Sequence, residues 1–268
     1  MIRIAVLGGA GRMGRAVIDI VAGEPDLELA GVWVREGDER SGQPVASWHP
    51  AAADTAAGTS SDVEHVLHET DVVIDFSLPG ATVAVLDAVQ SVRVPLVCGV
   101  TGLGVAARAR MAEIARDVAV VYDRNMSVGV QLLNFLVGQA AERLGPDYDA
   151  EVLEAHHRAK RDAPSGTALM LGETIAHARG ESLDDRAVFE RHGESGPREQ
   201  GAIGFSVVRG GRIVGEHTVL FAGSHDRLSL VHQAQDRAAF AAGAVVAARW
   251  VAARAPGLYG MRDVLGIG

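Results

Sequence analysis

The chain is poor in cysteine, aromatic residues and positive charge. One cysteine, Cys98, among 268 residues leaves nothing to pair with in an intramolecular disulfide and no thiol cluster for a metal. It sits in Val94-Pro95-Leu96-Val97-Cys98-Gly99, a short apolar run that predicts a buried strand and an inert core thiol. Aromatics make up 4% of the chain, so the core must be built mostly from Ala and Val. Lys and Arg number 25 against 34 Asp and Glu, a formal net charge of −9. Binding a phosphate backbone needs a basic footprint, which argues against nucleic acid or an anionic membrane as a main partner. A small anionic substrate stays open, because a site can be locally basic. No apolar run approaches the roughly 20 residues of a membrane span. Met1-Ile2-Arg3-Ile4-Ala5-Val6-Leu7 enters a strand pattern without the layout of a signal peptide, and the expected compartment is the cytoplasm.

What is present is globular composition, 48% hydrophobic and 22% charged, at a length that suits two domains. Strand-like runs at Ile2 to Leu7, Leu27 to Val34, Val72 to Phe76, Leu96 to Cys98 and Val118 to Tyr122 alternate with helical patterns at Arg12 to Ala22, Ala81 to Gln90 and Val105 to Asp117. Repeated strand–helix–strand units predict a parallel sheet covered on both faces. The stretch from Arg35 to Thr59 reads as loop with a short strand inside. The pattern changes after about Asn125. A long helix over Val128 to Leu144, a strand over Ala150 to Ala155 and a helix over Ser165 to Ala178 come next. Glu181 to Gly201 is polar and expected to be exposed. Alternating strands follow at Ile203 to Arg209, Arg212 to Ala222 and Arg227 to His232, the first two predicted as a hairpin through Gly210-Gly211. An Ala-rich helix over Arg237 to Ala253 closes the pattern. The expected fold class is α/β. A Rossmann-type dinucleotide-binding domain, residues 1–126 completed by 237–268, is joined to an α+β domain, residues 127–236, built on a mixed sheet.

Gly8-Gly9-Ala10-Gly11-Arg12-Met13-Gly14 follows the first strand and opens a helix. Gly9, Gly11 and Gly14 satisfy G-x-G-x-x-G. Such a turn is sharp, lets backbone approach a pyrophosphate, and points helix N-terminal amides at it. The motif alone is weak, but its place after a strand and inside a βαβ pattern makes it specific. An acid about 20 positions on commonly grips the ribose of NAD. Counting from Gly14 reaches Val34, with Arg35 next and Glu36 after it. An arginine there suits a 2′-phosphate, so NADPH is favoured over NADH, with use of both left open.

The densest chemistry is His156-His157-Arg158-Ala159-Lys160-Arg161-Asp162-Ala163-Pro164-Ser165-Gly166-Thr167. It offers an acid/base imidazole, a point charge in Lys160, and a Ser-Gly-Thr helix start that can accept an anion. Ser165 is also a natural N-cap. Arg158 and Arg161 read as surface or interface charges, and Asp162 as a loop-orienting or cation-pairing group. Adjacent histidines point to opposite sides of an extended chain and no carboxylate–His cluster completes a ligand set, so no metal is expected.

With Glu154-Ala155 before it, this stretch resembles the signature of the 4-hydroxy-tetrahydrodipicolinate (dihydrodipicolinate) reductase family, E-x-x-H-H-x-x-K-x-D-x-P-S-G-T with altered spacing near its start. The match falls on His156, His157, Lys160, Asp162, Pro164, Ser165, Gly166 and Thr167. The glycine loop also resembles the family's, as do Asp75-Phe76-Ser77, Gly99-Val100-Thr101-Gly102, Asn125-Met126-Ser127-Val128-Gly129-Val130, Gly210-Gly211, Val214-Gly215-Glu216-His217 and Phe221-Ala222. The resemblance runs through essentially the whole chain in order. It implies a reductase in which NADPH or NADH delivers hydride to a cyclic imine derivative bearing two carboxylates, after loss of its hydroxyl as water. The product would be tetrahydrodipicolinate, on the route to diaminopimelate and lysine. It implies His156 as proton donor assisted by Lys160, with His157, Lys160, Ser165, Gly166 and Thr167 holding the small dicarboxylate. It implies cofactor contacts from Gly8, Gly9, Ala10, Gly11, Arg12, Met13, Arg35, Gly99, Val100, Thr101, Asp123, Arg124, Asn125 and Met126, and a homotetramer assembled through the second-domain sheets. Glu216-His217 is assigned a scaffold role. Two departures stand out: Val34 where many relatives carry an acid, and Asp123-Arg124 where small residues or proline are common. A related reductase of another small imine or oxo-acid, or a dinucleotide sensor without turnover, are the alternatives. The His156, Lys160 and Ser165-Gly166-Thr167 set argues against both.

Overall fold

The computed structural model describes residues 1–267. The chain divides into two compact units, Met1–Val128 together with the stretch from Arg237 onward, and Gly129–Asp236. The first unit begins with β1 (Ile2–Leu7), α1 (Arg12–Gly23), β2 (Leu27–Trp33), β3 (Gly58–Ser60), α2 (Val63–Leu67), β4 (Val72–Asp75), α3 (Thr82–Val92), β5 (Leu96–Cys98), α4 (Val105–Ile114) and β6 (Ala119–Tyr122). Next come α5 (Val128–Leu144), β7 (Asp149–His156), α6 (Gly166–Ala178), α7 (Leu183–Arg186), β8 (Ala187–Val188), β9 (Ile203–Arg209), β10 (Gly215–Ala222) and β11 (Arg227–Ala234). The last stretch, α8 (Ala238–Val251), β12 (Gly257–Tyr259) and α9 (Met261–Leu265), rejoins the first unit.

The first sheet has seven strands in the order β12-β6-β5-β4-β1-β2-β3, and every pairing is parallel. Its central strands are apolar without alternation because both faces are covered. Every residue of β4 and β5 is buried. Val17, Ile18 and Val21 of α1 pack on one face with Ala241, Ala244, Val245 and Ala248 of α8. Val85, Leu86 and Val89 of α3 share the other with Met111 and Ile114 of α4. The small residues of α8 let it come close. A Cβ added at Gly243 would collide with the carbonyl oxygen of Met126. Gly243→Ala should therefore lower stability by about 1–3 kcal/mol, although alanine is the better helix former by about 1 kcal/mol. Urea unfolding monitored by circular dichroism reads this, and an unchanged or higher midpoint would contradict the close packing.

The second sheet is mixed, in the order β11-β10-β7-β9-β8. β7 runs parallel to β9 and antiparallel to β10. This corrects the predicted hairpin: β9 and β10 are not neighbours, because β7 lies between them. The glycine pair does not form a two-residue turn. Only Gly211 takes a positive φ, +47°, whereas the type I′ turn needs two. The segment instead wraps the end of β7, with the Gly210 amide donating to the His156 carbonyl at 2.9 Å and the Arg158 amide to the Gly211 carbonyl at 3.4 Å. The short elements α2, α7, β8, β12 and α9 were also not anticipated; each is too brief to show a period. Among the described residues, no helix is long and apolar enough to cross a membrane.

Candidate active site

The glycine turn after β1 is dictated by space. Gly8 has φ +74°, and a Cβ there would lie 2.8 Å from the Phe76 carbonyl oxygen. Cβ atoms at Gly9 and Gly14 would collide with the Val32 side chain and the Gly8 carbonyl oxygen respectively. Gly11 differs. It is the N-cap of α1, extended at φ −76°, ψ 169°, with no side-chain cap. A Cβ there would meet only the Gly8 carbonyl oxygen, at 3.2 Å. No acidic residue stands in the first turn of α1, so the positive helix end is left uncompensated.

This turn opens on a pocket of about 500 Å³ lined by Gly11, Arg12, Met13, Phe76, Ser77, Leu78, Pro79, Gly99, Val100, Thr101, Arg124, Asn125, Met126 and Phe240. The pocket gathers the C-terminal ends of β1, β4, β5 and β6. The strand order reverses beside β1, the place where open α/β sheets bind their ligands. A glycine cradle, free helix amides and a pocket at the reversal fit a dinucleotide. Nine of the residues expected to touch the cofactor line this pocket, and Gly8, Gly9 and Ala10 form the turn beside it. Arg35 is exposed after β2 and lies outside this lining. Asp123 does not line it either. Its carboxylate accepts from the Asn125 amide at 3.3 Å and the Met261 amide at 3.2 Å, and it borders a separate cavity with Trp250 and Tyr259. Val34, compared above with a ribose-gripping acid, is 1% exposed and packs in the core.

Sequence reasoning did not assign Phe76 to Pro79 or Phe240 to this pocket, although Phe76 and Ser77 belong to the Asp75-Phe76-Ser77 motif noted above; Leu78, Pro79 and Phe240 carry no signal beyond adjacency to β4 and the start of α8. Beneath Ser77 lies Asp75, fully buried. Burial pushes its carboxyl up to about 6, moderated by the Ser77 amide donating at 2.8 Å. Cys98 is free and buried, and burial raises its thiol.

In the second unit, β7 carries Glu154 and His156 on one face, two residues apart. The register sets His217 of β10 opposite Glu154, and Arg209 of β9 opposite His156. Glu154 Oε2 lies 2.6 Å from His156 Nδ1. Arg209 donates to both Glu154 oxygens at 2.7 Å, and the Ser165 amide donates to Oε1 at 2.9 Å. Ser165 caps α6, its Oγ accepting from the Ala168 amide at 3.1 Å. That Oγ also lies 3.1 Å from His217 Nε2. The His156 and His217 rings meet edge-on, with centroids 5.2 Å apart. Lys160 Nζ lies 2.8 Å from Asp162 Oδ2. His157 is half-buried, and its carbonyl accepts from the Lys160 amide at 3.1 Å. Gly166 is exposed with open space around it, Thr167 stands in the first turn of α6, and Arg158 and Arg161 are exposed.

The electrostatics follow from this geometry. Burial pushes the Glu154 carboxyl up, but Arg209, His156 and the Ser165 amide together hold it below the usual range. Burial lowers His156, with Lys160 and Arg209 adding to the effect and Glu154 opposing it. Burial, then the neighbouring His156, lowers His217 to about 3, so its ring is neutral at physiological pH. The site thus combines an imidazole with a fixed carboxylate partner, an ammonium, and the start of a helix with no acid in its first turn. It can deliver a proton beside a bound anion. Glu154, Arg209 and His217 join a site that sequence reasoning had built from His156 to Thr167 alone. Among the described residues, no group of three or more His, Cys, Asp or Glu is placed to hold a metal ion.

A glycine cradle at the reversal of a parallel sheet, carried on the same chain as an imidazole–ammonium site, defines a nicotinamide-dinucleotide-dependent oxidoreductase of two parts. The chain belongs to the dihydrodipicolinate reductase family. Residues 2–126 match the model described as "Dihydrodipicolinate reductase, N-terminus" and residues 129–265 that of its C-terminus. Among curated relatives, the 4-hydroxy-tetrahydrodipicolinate reductase of Burkholderia thailandensis is 46% identical over 265 residues, covering 99% of this chain and 98% of the relative. That of Burkholderia mallei is 45% identical over the same length and shares. The fold is similar to a dipicolinate-bound dihydrodipicolinate reductase from Paenisporosarcina sp. TG-14, with TM-score 0.78 at 23% identity over 98% of this chain and 99% of that one.

Proposed function

We propose that this chain reduces 4-hydroxy-tetrahydrodipicolinate to tetrahydrodipicolinate in the cytoplasm, on the route to diaminopimelate and lysine. The observation that carries the reading is the His156–Glu154–Ser165 linkage, which ties a proton-carrying imidazole to the start of an anion-accepting helix. One hydride and one proton enter the ring system and one water leaves. When bound, the reduced nicotinamide supplies the hydride. Hydride addition leaves enamine or carbanion character on the substrate, and His156 protonates it. Lys160 exchanges Asp162 for a substrate carboxylate and raises the local positive charge. The amides and hydroxyls of Ser165, Gly166 and Thr167, with His157, hold the carboxylates in place.

The cofactor is bound by the turn Gly8 to Met13 and by Gly99 to Thr101 and Arg124 to Met126. Asp123 acts there through its backbone and by bracing Asn125. NADPH is favoured over NADH, because exposed Arg35 follows β2 and can meet a 2′-phosphate. Arg35→Ala should weaken NADPH by roughly 10–100-fold, the order of one charge-assisted contact of 1.5–3 kcal/mol, and leave NADH nearly unchanged. Fluorescence titration of both cofactors checks this; equal losses, or none, would contradict the assignment. Leu153, Val208 and Val231, exposed on one face of the second sheet, support a homotetramer built on that sheet.

The test is oxidation of NADPH and NADH by the purified protein supplied with freshly generated 4-hydroxy-tetrahydrodipicolinate. Turnover is expected with both and faster with NADPH. Absence of turnover with either, in a protein that binds the dinucleotide, would overturn the reading.

A further inference from the structure

In the proton step as described Glu154 itself neither gives nor takes a proton, yet its side chain is 1% exposed and every direction around its carboxylate is used. Arg209 takes one position on each oxygen. The Ser165 amide takes the second on Oε1, and His156 Nδ1 the second on Oε2. A guanidinium and a backbone amide can only donate, so they demand an ionised carboxylate, which can only accept. The short contact to His156 therefore requires the hydrogen on Nδ1. That leaves Nε2 as the only ring atom free to take up and give a proton. The chain also keeps that nitrogen accessible: a Cβ at Gly215 would stand 3.1 Å from it.

We infer that Glu154, clamped by Arg209, is a positioning residue that holds His156 in the Nδ1–H tautomer with Nε2 as the proton-carrying atom, and couples it through the Ser165 amide to the start of α6. The inference rests on the reading of His156 as proton donor. One carboxylate thereby sets both the donor and the first residue of the anion-accepting helix. Movement of Ser165 on substrate binding reaches His156 through two hydrogen bonds.

Glu154→Gln keeps the shape but turns one acceptor oxygen into a donor. The amide cannot accept from Arg209, Ser165 and His156 together. If its NH2 faces Nδ1, it favours the Nε2–H tautomer. Replacing an orienting carboxylate by its amide, or losing such a support, costs on the order of 10–10⁴-fold elsewhere. Here kcat is expected to fall by roughly 10²-fold, with NADPH affinity unchanged. The charged and titratable groups facing His156 are Glu154 on its own strand, Lys160 on the following loop, Arg209 on β9 and His217 on β10. Only Glu154 favours the imidazolium. Its removal should move the His156-dependent limb of the kcat/KM profile to lower pH, which a merely structural role would not do.

The decisive experiment combines two-bond proton–nitrogen spectra of wild-type His156 with the kinetics of Glu154→Gln and His156→Gln. Hydrogen on Nδ1 in the wild type, together with the loss and pH shift in Glu154→Gln, is the expected result. If His156→Gln is crippled while Glu154→Gln keeps wild-type kcat and pH profile, the positioning role is overturned and the proton-donor reading stands. If His156→Gln retains turnover, the donor reading itself falls. Should Glu154→Gln fail to fold, the wild-type spectra decide: Nδ1–H supports the inference, and Nε2–H overturns it.

Discussion

His156→Gln is expected to lower kcat by ~10²–10⁴-fold, the usual worth of a positioned general acid, with dinucleotide affinity nearly unchanged. Glutamine can hydrogen-bond but cannot carry a proton to carbon. Its position on β7 lies outside the pocket lined by Gly11, Gly99 and Met126, so cofactor titration should be insensitive to it. Lys160→Ala should behave differently. Lys160 meets Asp162 in the free protein and is proposed to meet a carboxylate in the complex. Its loss should raise KM as well as lower kcat, and Lys160→Gln should not restore either, because the charge is what is missing. Steady-state kinetics with 4-hydroxy-tetrahydrodipicolinate and NADPH separate the two patterns. Near-normal kcat/KM in both variants would mean that the His156 to Thr167 stretch is structural.

Gly11→Val should abolish measurable NADPH binding while preserving the fold. Of the four glycines in the turn, Gly8 and Gly14 are needed for the backbone itself and Gly9 for packing against Val32. Gly11 is the least crowded of the four: its added Cβ would need the Gly8 carbonyl oxygen, 3.2 Å away, to give by a few tenths of an ångström, in an extended conformation open to valine. The added methyls would occupy the space in front of the α1 amides that a pyrophosphate must reach. Calorimetric titration should show no heat with NADPH, and the unfolding midpoint should stay close to wild type. Normal binding would remove this turn from the cofactor site.

Much of the first unit was readable because each central strand is a continuous apolar run interrupted by one helix, a pattern that admits few arrangements. The glycine turn was readable for the same reason, since it stands where β1 must give way to α1. The stretch from His156 to Thr167 was readable because its groups are contiguous. In the second sheet the four longer strands and the mixed character were readable, but the strand order was not. Gly210-Gly211 suggested a hairpin, and the insertion of β7 between β9 and β10 depends on partners far away in the chain. The same insertion brings Arg209 to Glu154 across 55 residues and Ser165 to His217 across 52. No local pattern encodes such pairings. Val34 and Asp123 show the converse limit. Counting from the glycine turn places Val34, and the family resemblance places Asp123, near a cofactor, whereas one side chain turns into the core and the other is held by the amides of Asn125 and Met261.

Transfer of label from a reduced cofactor deuterated at its hydride-bearing nicotinamide carbon is the most direct test of whether this chain is a reductase of a cyclic dicarboxylate imine. In a single turnover with 4-hydroxy-tetrahydrodipicolinate, deuterium should appear on carbon in tetrahydrodipicolinate, one atom per molecule of NADPH oxidised. The transfer should be slowed in His156→Gln. A protein that binds NADPH tightly but leaves the deuterium on the cofactor would instead be a dinucleotide-binding sensor.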